Sequence, residues 1–107
     1  MKINGKEYNL FYSIGAHVAY DSWVVQHPKA SFTEGVLMKF TFMVAAYNNA
    51  HGIKQDPPTK DQLAVLPNSV FEEIFEAVTE CEKADTERKV EAEPVKGKNG
   101  KSTARSA

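Results

Sequence analysis

Residues 31–50 read SFTEGVLMKFTFMVAAYNNA, and this stretch decides the fold. Ser31 followed by Glu34 has the spacing of a capping box, in which the hydroxyl accepts from the amide three residues on and the carboxylate reaches back to the serine amide. The pattern predicts a helix from Phe32 to about Ala50, closed by Gly52, a residue that tolerates the left-handed conformation common at helix ends. At 100° per residue, Val36, Leu37, Phe40, Met43, Val44 and Tyr47 fill one face of roughly 120°. Met38, Phe42 and Ala45 make a second apolar stripe opposite them, and Lys39 is the only charge between Val36 and Ala50. A helix apolar on two sides is either the central one of its domain or carries an interaction surface on the second stripe.

Toward the N-terminus, Ser13 can cap a first helix over Ile14 to Gln26, which His27-Pro28 would terminate. Ile14, Val18 and Val25 fall on one side of it and Ala16, Tyr20, Trp23 and Val24 spread over the other, so coverage on two sides is expected. Before it, Asn4-Gly5 sits between Lys2-Ile3 and a segment of strand character from Glu7 to Tyr12, the pattern of a tight hairpin. Toward the C-terminus, Asp56-Pro57-Pro58 reads as a stiff link, and Thr59 with Gln62 repeats the capping-box spacing to open a short helix through Leu63, Val65 and Leu66. Pro67-Asn68-Ser69 leads into a fourth helix with Val70, Phe71, Ile74, Phe75, Val78 and Cys81 on one face and Glu72, Glu73, Glu76 and Glu80 on the other. That acidic face is either a solvated surface or a docking site for a basic partner. The expected fold is α+β and mostly helical, a two-stranded N-terminal hairpin packed with three main helices and one short one within residues 1–84. Past Lys83 the apolar stripe ends, so residues 85–93 read as a frayed charged helix or linker, with Asp85 and Lys89 spaced to pair, and Pro94 as its stop. Residues 94–107 hold no acid and no aromatic, and only Val95 among large aliphatics, and read as a disordered basic tail.

The chain of 107 residues carries 13 basic and 14 acidic groups, with 7 basic against 10 acidic in residues 1–84 and 6 against 4 thereafter. No apolar run approaches the roughly 18 to 20 residues of a membrane span, and the first residues, MKINGKE, have no secretory apolar core, so a cytosolic location is expected. Cys81 is alone and, on the apolar stripe, reads as a small core residue. His17, His27 and His51 lie in separate elements without metal-ligand spacing; His17 and Asp21 are placed to pair at i,i+4, a structural contact more readily than a catalytic dyad. With no nucleophile elbow, phosphate loop or dinucleotide fingerprint, neither catalysis nor a cofactor is expected. The basic tail raises nucleic-acid binding as an alternative, against which stand its few charges, its lack of aromatics and the acidic body.

One ordered pattern says more. Ile3-Asn4-Gly5-Lys6-Glu7-Tyr8, a strand through Leu10 and Phe11, and Ile14-Gly15 at the start of a helix resemble the N-terminus of the small tail assembly chaperones of long-tailed bacteriophages. The long apolar second helix, the proline link, the Thr-x-x-Gln opening and the final Phe71-Glu72-Glu73-Ile74-Phe75-Glu76 helix are similar too, over roughly residues 2–83. In the first helix, Val18-Ala19-Tyr20-Asp21 departs from the family's charged stretch, keeping only the aspartate. The resemblance implies a non-enzymatic protein in the host cytoplasm that binds the tape measure protein, keeps its hydrophobic helices from aggregating, and is absent from the mature virion. It also implies a longer frameshifted product that recruits the tail tube protein, and it leaves self-association open. Tyr20, Trp23, Met38, Phe42 and Ala45 are the candidate partner-binding residues, as adaptable apolar side chains outside the main stripe. A phage structural or connector protein, and a small nucleic-acid-binding regulator acting through the tail, are the alternatives.

Overall fold

The computed structural model describes residues 1–92, with side chains through 87. In chain order it contains β1 (Lys2–Ile3), β2 (Lys6–Glu7), α1 (Ile14–Gln26), α2 (Phe32–Ala50), α3 (Lys60–Ala64) and α4 (Asn68–Ala92). The fold is the expected α+β arrangement of a two-stranded antiparallel hairpin and four helices. The proposed tail, residues 94–107, lies outside the described residues, as does the side chain of Lys89.

Helix α2 is the axis. Every position from Gly35 to Asn48 is buried or half-buried, because α1, α3 and α4 all pack on it. The helix is thus the central one of its domain, while Met38, Phe42 and Ala45 of its second stripe stay half-buried. Phe40, Met43 and Val44 are fully enclosed, joined by Ile3 and Tyr8 from the hairpin segment, Leu63 from α3 and Ile74 and Val78 from α4. The Tyr8 ring meets Phe40 edge-on at 6.4 Å between centroids.

Caps fix where the helices begin. Ser13 Oγ accepts from the Ala16 amide at 3.0 Å, and full capping boxes open α2 at Ser31 and Glu34 and α3 at Thr59 and Gln62. At the other end of α2, Gly52 adopts φ +67°, where a side chain would be strained. The loop that follows is tied back onto α2: the Asn48 side-chain amide donates to the Gln55 carbonyl at 2.9 Å and the Thr41 hydroxyl to the Pro58 carbonyl at 2.7 Å. These bonds satisfy two carbonyls of a segment that lies outside helix and sheet.

Four expectations are corrected. The second strand ends at Glu7 rather than Tyr12, since the last ladder-like bond joins the Tyr8 amide to the Met1 carbonyl. Beyond it, Tyr8, Leu10 and Tyr12 turn alternately onto the core, keeping a strand's period beside α2, where the Phe11 amide donates to the Met43 carbonyl at 3.2 Å. The short helix, expected to run through Leu66, closes at Ala64, and Val65 beyond its end is solvent-exposed. Phe75 stands at the rim of the core rather than within it. Helix α1, expected to be covered on two sides, is covered on one among the described residues. Of the two readings for residues 85–93, helix or linker, the helical one matches α4, which runs on through Ala92.

The α2 capping box is also a pH sensor of a simple kind. The hydrogen bond from the Ser31 amide, with the Lys60 ammonium 3.1 Å away, holds the Glu34 carboxyl below the usual carboxylate range. A depressed acid stabilises the fold above its unfolded value and loses that contribution as pH falls through the folded one. Glutamine keeps the reach-back bond without titrating. Glu34→Gln should therefore be slightly less stable than the parent at pH 7 and equal to it near pH 3, measured as urea midpoints.

Candidate partner-binding surface

Helices α1 and α4 both lie on α2, yet among the described residues no pair of their Cα atoms approaches within 8 Å. The gap between them is a groove of about 300 Å³. Tyr20, Trp23 and Val24 form one wall, Phe75, Val78 and Thr79 the other, and Val36 with Gly35 the floor. Gly35 lets the two helices close tightly there, since a Cβ on it would sit 3.0 Å from the Tyr20 hydroxyl oxygen and push that ring outward. Tyr20 and Trp23 stack at i,i+3 with centroids 6.4 Å apart, and Trp23 stacks in turn on His27 at 4.7 Å. At the mouth, Phe32 meets Phe75 edge-on at 5.7 Å, although Phe32 itself is 70% exposed.

One end of the groove is closed by Lys39. Its ammonium lies 2.8 Å from Glu82 Oε2 on α4 and 4.6 Å above the Tyr20 ring on α1, so a single side chain ties the two walls together. Burial by itself would lower the Lys39 pKa, but the hydrogen bond and charge of Glu82 outweigh it and hold the ammonium above the ordinary lysine range. The cation is thus a permanent feature at neutral pH.

The outer side of α1 is bare. Ile14, Val18 and Val25, on the side opposite the buried Ala16, are 85, 59 and 78% exposed. Three large aliphatics on one uncovered face of a 13-residue helix cost solubility and contribute nothing visible to this core. The expectation of coverage on two sides fails because, among the described residues, α2 is the one helix that packs on α1.

The structure divides the five candidate residues. Tyr20 and Trp23 line the groove. Phe42 and Ala45 line a shallower concavity on the opposite flank of the α1–α2 contact, with Ala16, Ala19 and Ala46, and Met38 lines neither. All five are half-buried rather than sealed. Ile14, Val18, Val25, Phe32 and Phe75 escaped the sequence reading. The signal for the first three is present in the near-equal apolarity of both faces of α1, whereas Phe75 belongs to the α4 stripe by angle and Phe32 stands at the first position of α2, outside both of its stripes.

His17 and Asp21 do pair, with Nε2 3.2 Å from Oδ2, and the Tyr12 hydroxyl bonds Nδ1. Both side chains of the pair are more than half exposed. Burial pushes the Tyr12 phenol up, with Lys39 countering in part, and a phenol held protonated is a hydrogen-bond donor rather than a nucleophile. The chain Tyr12–His17–Asp21 reads as a clamp on the start of α1. Among the described residues, no group of three or more His, Cys, Asp or Glu side chains is placed to hold a metal ion, and no helix is long and apolar enough to cross a membrane. No family model, curated protein or solved structure matches the chain, so its function has to be read from this surface.

Proposed function

We propose that the protein is a tail assembly chaperone of a long-tailed bacteriophage, a holdase that binds the tape measure protein and keeps it from aggregating. The observation that carries this reading is the uncovered apolar side of α1, flanked by an open aromatic groove. A holdase for long apolar helices needs such surface before its client arrives. The order of elements from the Ile3–Tyr8 hairpin to the Phe71–Glu76 helix supports the reading through the resemblance it carries. No chemistry is assigned to the protein. It acts in the host cytoplasm, leaves before the virion is complete, and, as a longer frameshifted product, connects the client to tail tube subunits.

Co-expression with the tape measure protein of the same phage tests this. The client should move from the pellet to the supernatant and elute with the chaperone, while purified particles should lack the chaperone by mass spectrometry. A client that remains insoluble overturns the reading, and the protein's presence in particles at structural copy number would assign it to the tail itself.

A further inference from the structure

The far wall of the groove has a second side. Phe75 and Thr79 border the groove and also a shelf formed by Glu72, Glu76, Glu80 and Lys83. Glu72, Glu76 and Glu80 recur every four residues, about 6 Å apart along the axis of α4. None of the three has an ion-pair partner among the described residues. The acidic row therefore adjoins the groove across the Phe75–Thr79 ridge.

We propose that the α1–α4 groove seats one helix of another polypeptide, an amphipathic helix whose apolar stripe lies between Trp23 and Phe75 and whose Lys or Arg flank, spaced four residues apart, lies over Glu72, Glu76 and Glu80. This rests on the holdase reading only in naming the partner as a client. Charge complementarity sets the occupant. A second copy is a poor match through its bare helix face, because α1 offers Asp21 there and no Lys or Arg. The chain's own residues 94–107 carry Lys96, Lys98, Lys101 and Arg105 but only Val95 to fill an aromatic cleft.

The probe is a fluorescent 18-residue synthetic helix with leucines at i, i+3, i+4 and i+7 and a lysine flank, compared with an isomer bearing glutamates on that flank, each titrated with the full chain. The lysine peptide should bind roughly tenfold more tightly at low salt, a preference that shrinks as salt rises. The triple change Glu72→Gln, Glu76→Gln and Glu80→Gln should erase the preference, and Phe75→Ser should weaken both peptides, each in a chain that retains its circular dichroism. Equal binding of the two peptides, or a preference that survives the triple change, overturns the proposal. So does displacement of the probe by a peptide of residues 94–107, or competition by self-association at rising protein concentration. Tape measure capture undiminished in Phe75→Ser overturns the groove assignment alone. Selective binding of the lysine peptide by a chain that never captures tape measure protein overturns the holdase reading and leaves the groove assignment standing.

Discussion

Phe40→Ala should cost about 3–5 kcal/mol and lower the melting temperature by roughly 15–30 °C. Phe40 has no exposed surface and lies at the centre of the one cluster that joins hairpin, α2, α3 and α4. Truncation removes its transfer free energy and leaves a cavity that Met43 and Val44, themselves fully enclosed, cannot fill without leaving their own contacts. The edge-on contact with Tyr8 is lost as well, which releases the segment that carries the hairpin. A domain of this size has about 5–13 kcal/mol to lose, so the variant should be partly unfolded at 37 °C. Phe32→Ala is the control: the same substitution at a residue 70% exposed should cost under about 1 kcal/mol. Comparable melting temperatures for the two variants, measured by circular dichroism, would refute the central placement of Phe40.

Much of this architecture is written locally. Ser13, Ser31 and Thr59 announce helix starts because a cap is a contact between residues three apart, and such contacts do not depend on the rest of the fold. Asn4 and Gly5 take φ of 52° and 82°, the pair of positive angles that an Asn-Gly hairpin turn uses. The stripe through Val36, Phe40 and Val44 is equally legible, since periodicity reports which face is buried. What periodicity leaves out is which element does the burying. For α1 it gives two apolar faces and no means of knowing that α2 reaches only one of them. The groove is less legible still, being a space that exists because α1 and α4 stop short of one another on α2. Phe75 belongs to the α4 stripe by angle, yet it ends at the rim because that stripe is wider than the strip of α2 it covers. Tyr20 and Trp23 could be nominated from composition. Their separation from Phe42 and Ala45 follows from how α1 lies across α2, which no spacing along the chain encodes.

The bare side of α1 allows an experiment in which stability and capture move in opposite directions. Ile14 is the first residue of the helix and Val25 lies in its last turn, so Ile14→Glu and Val25→Lys each place a charge where the helix dipole favours it. Val18→Gln exchanges a β-branched residue for a better helix former. All three positions are exposed, so nothing in the core is disturbed, and the triple variant should melt at or above the temperature of the parent. If these side chains cover the client, each is worth about 1.5–3 kcal/mol when fully buried. Half burial of the three still amounts to about 3 kcal/mol, or roughly 100-fold in the concentration needed to keep tape measure protein soluble. Because the parent protein gains no fold stability from these residues, a chaperone that captures its client equally well without them would leave the apolar side of α1 without a function, and the holdase reading without its main support.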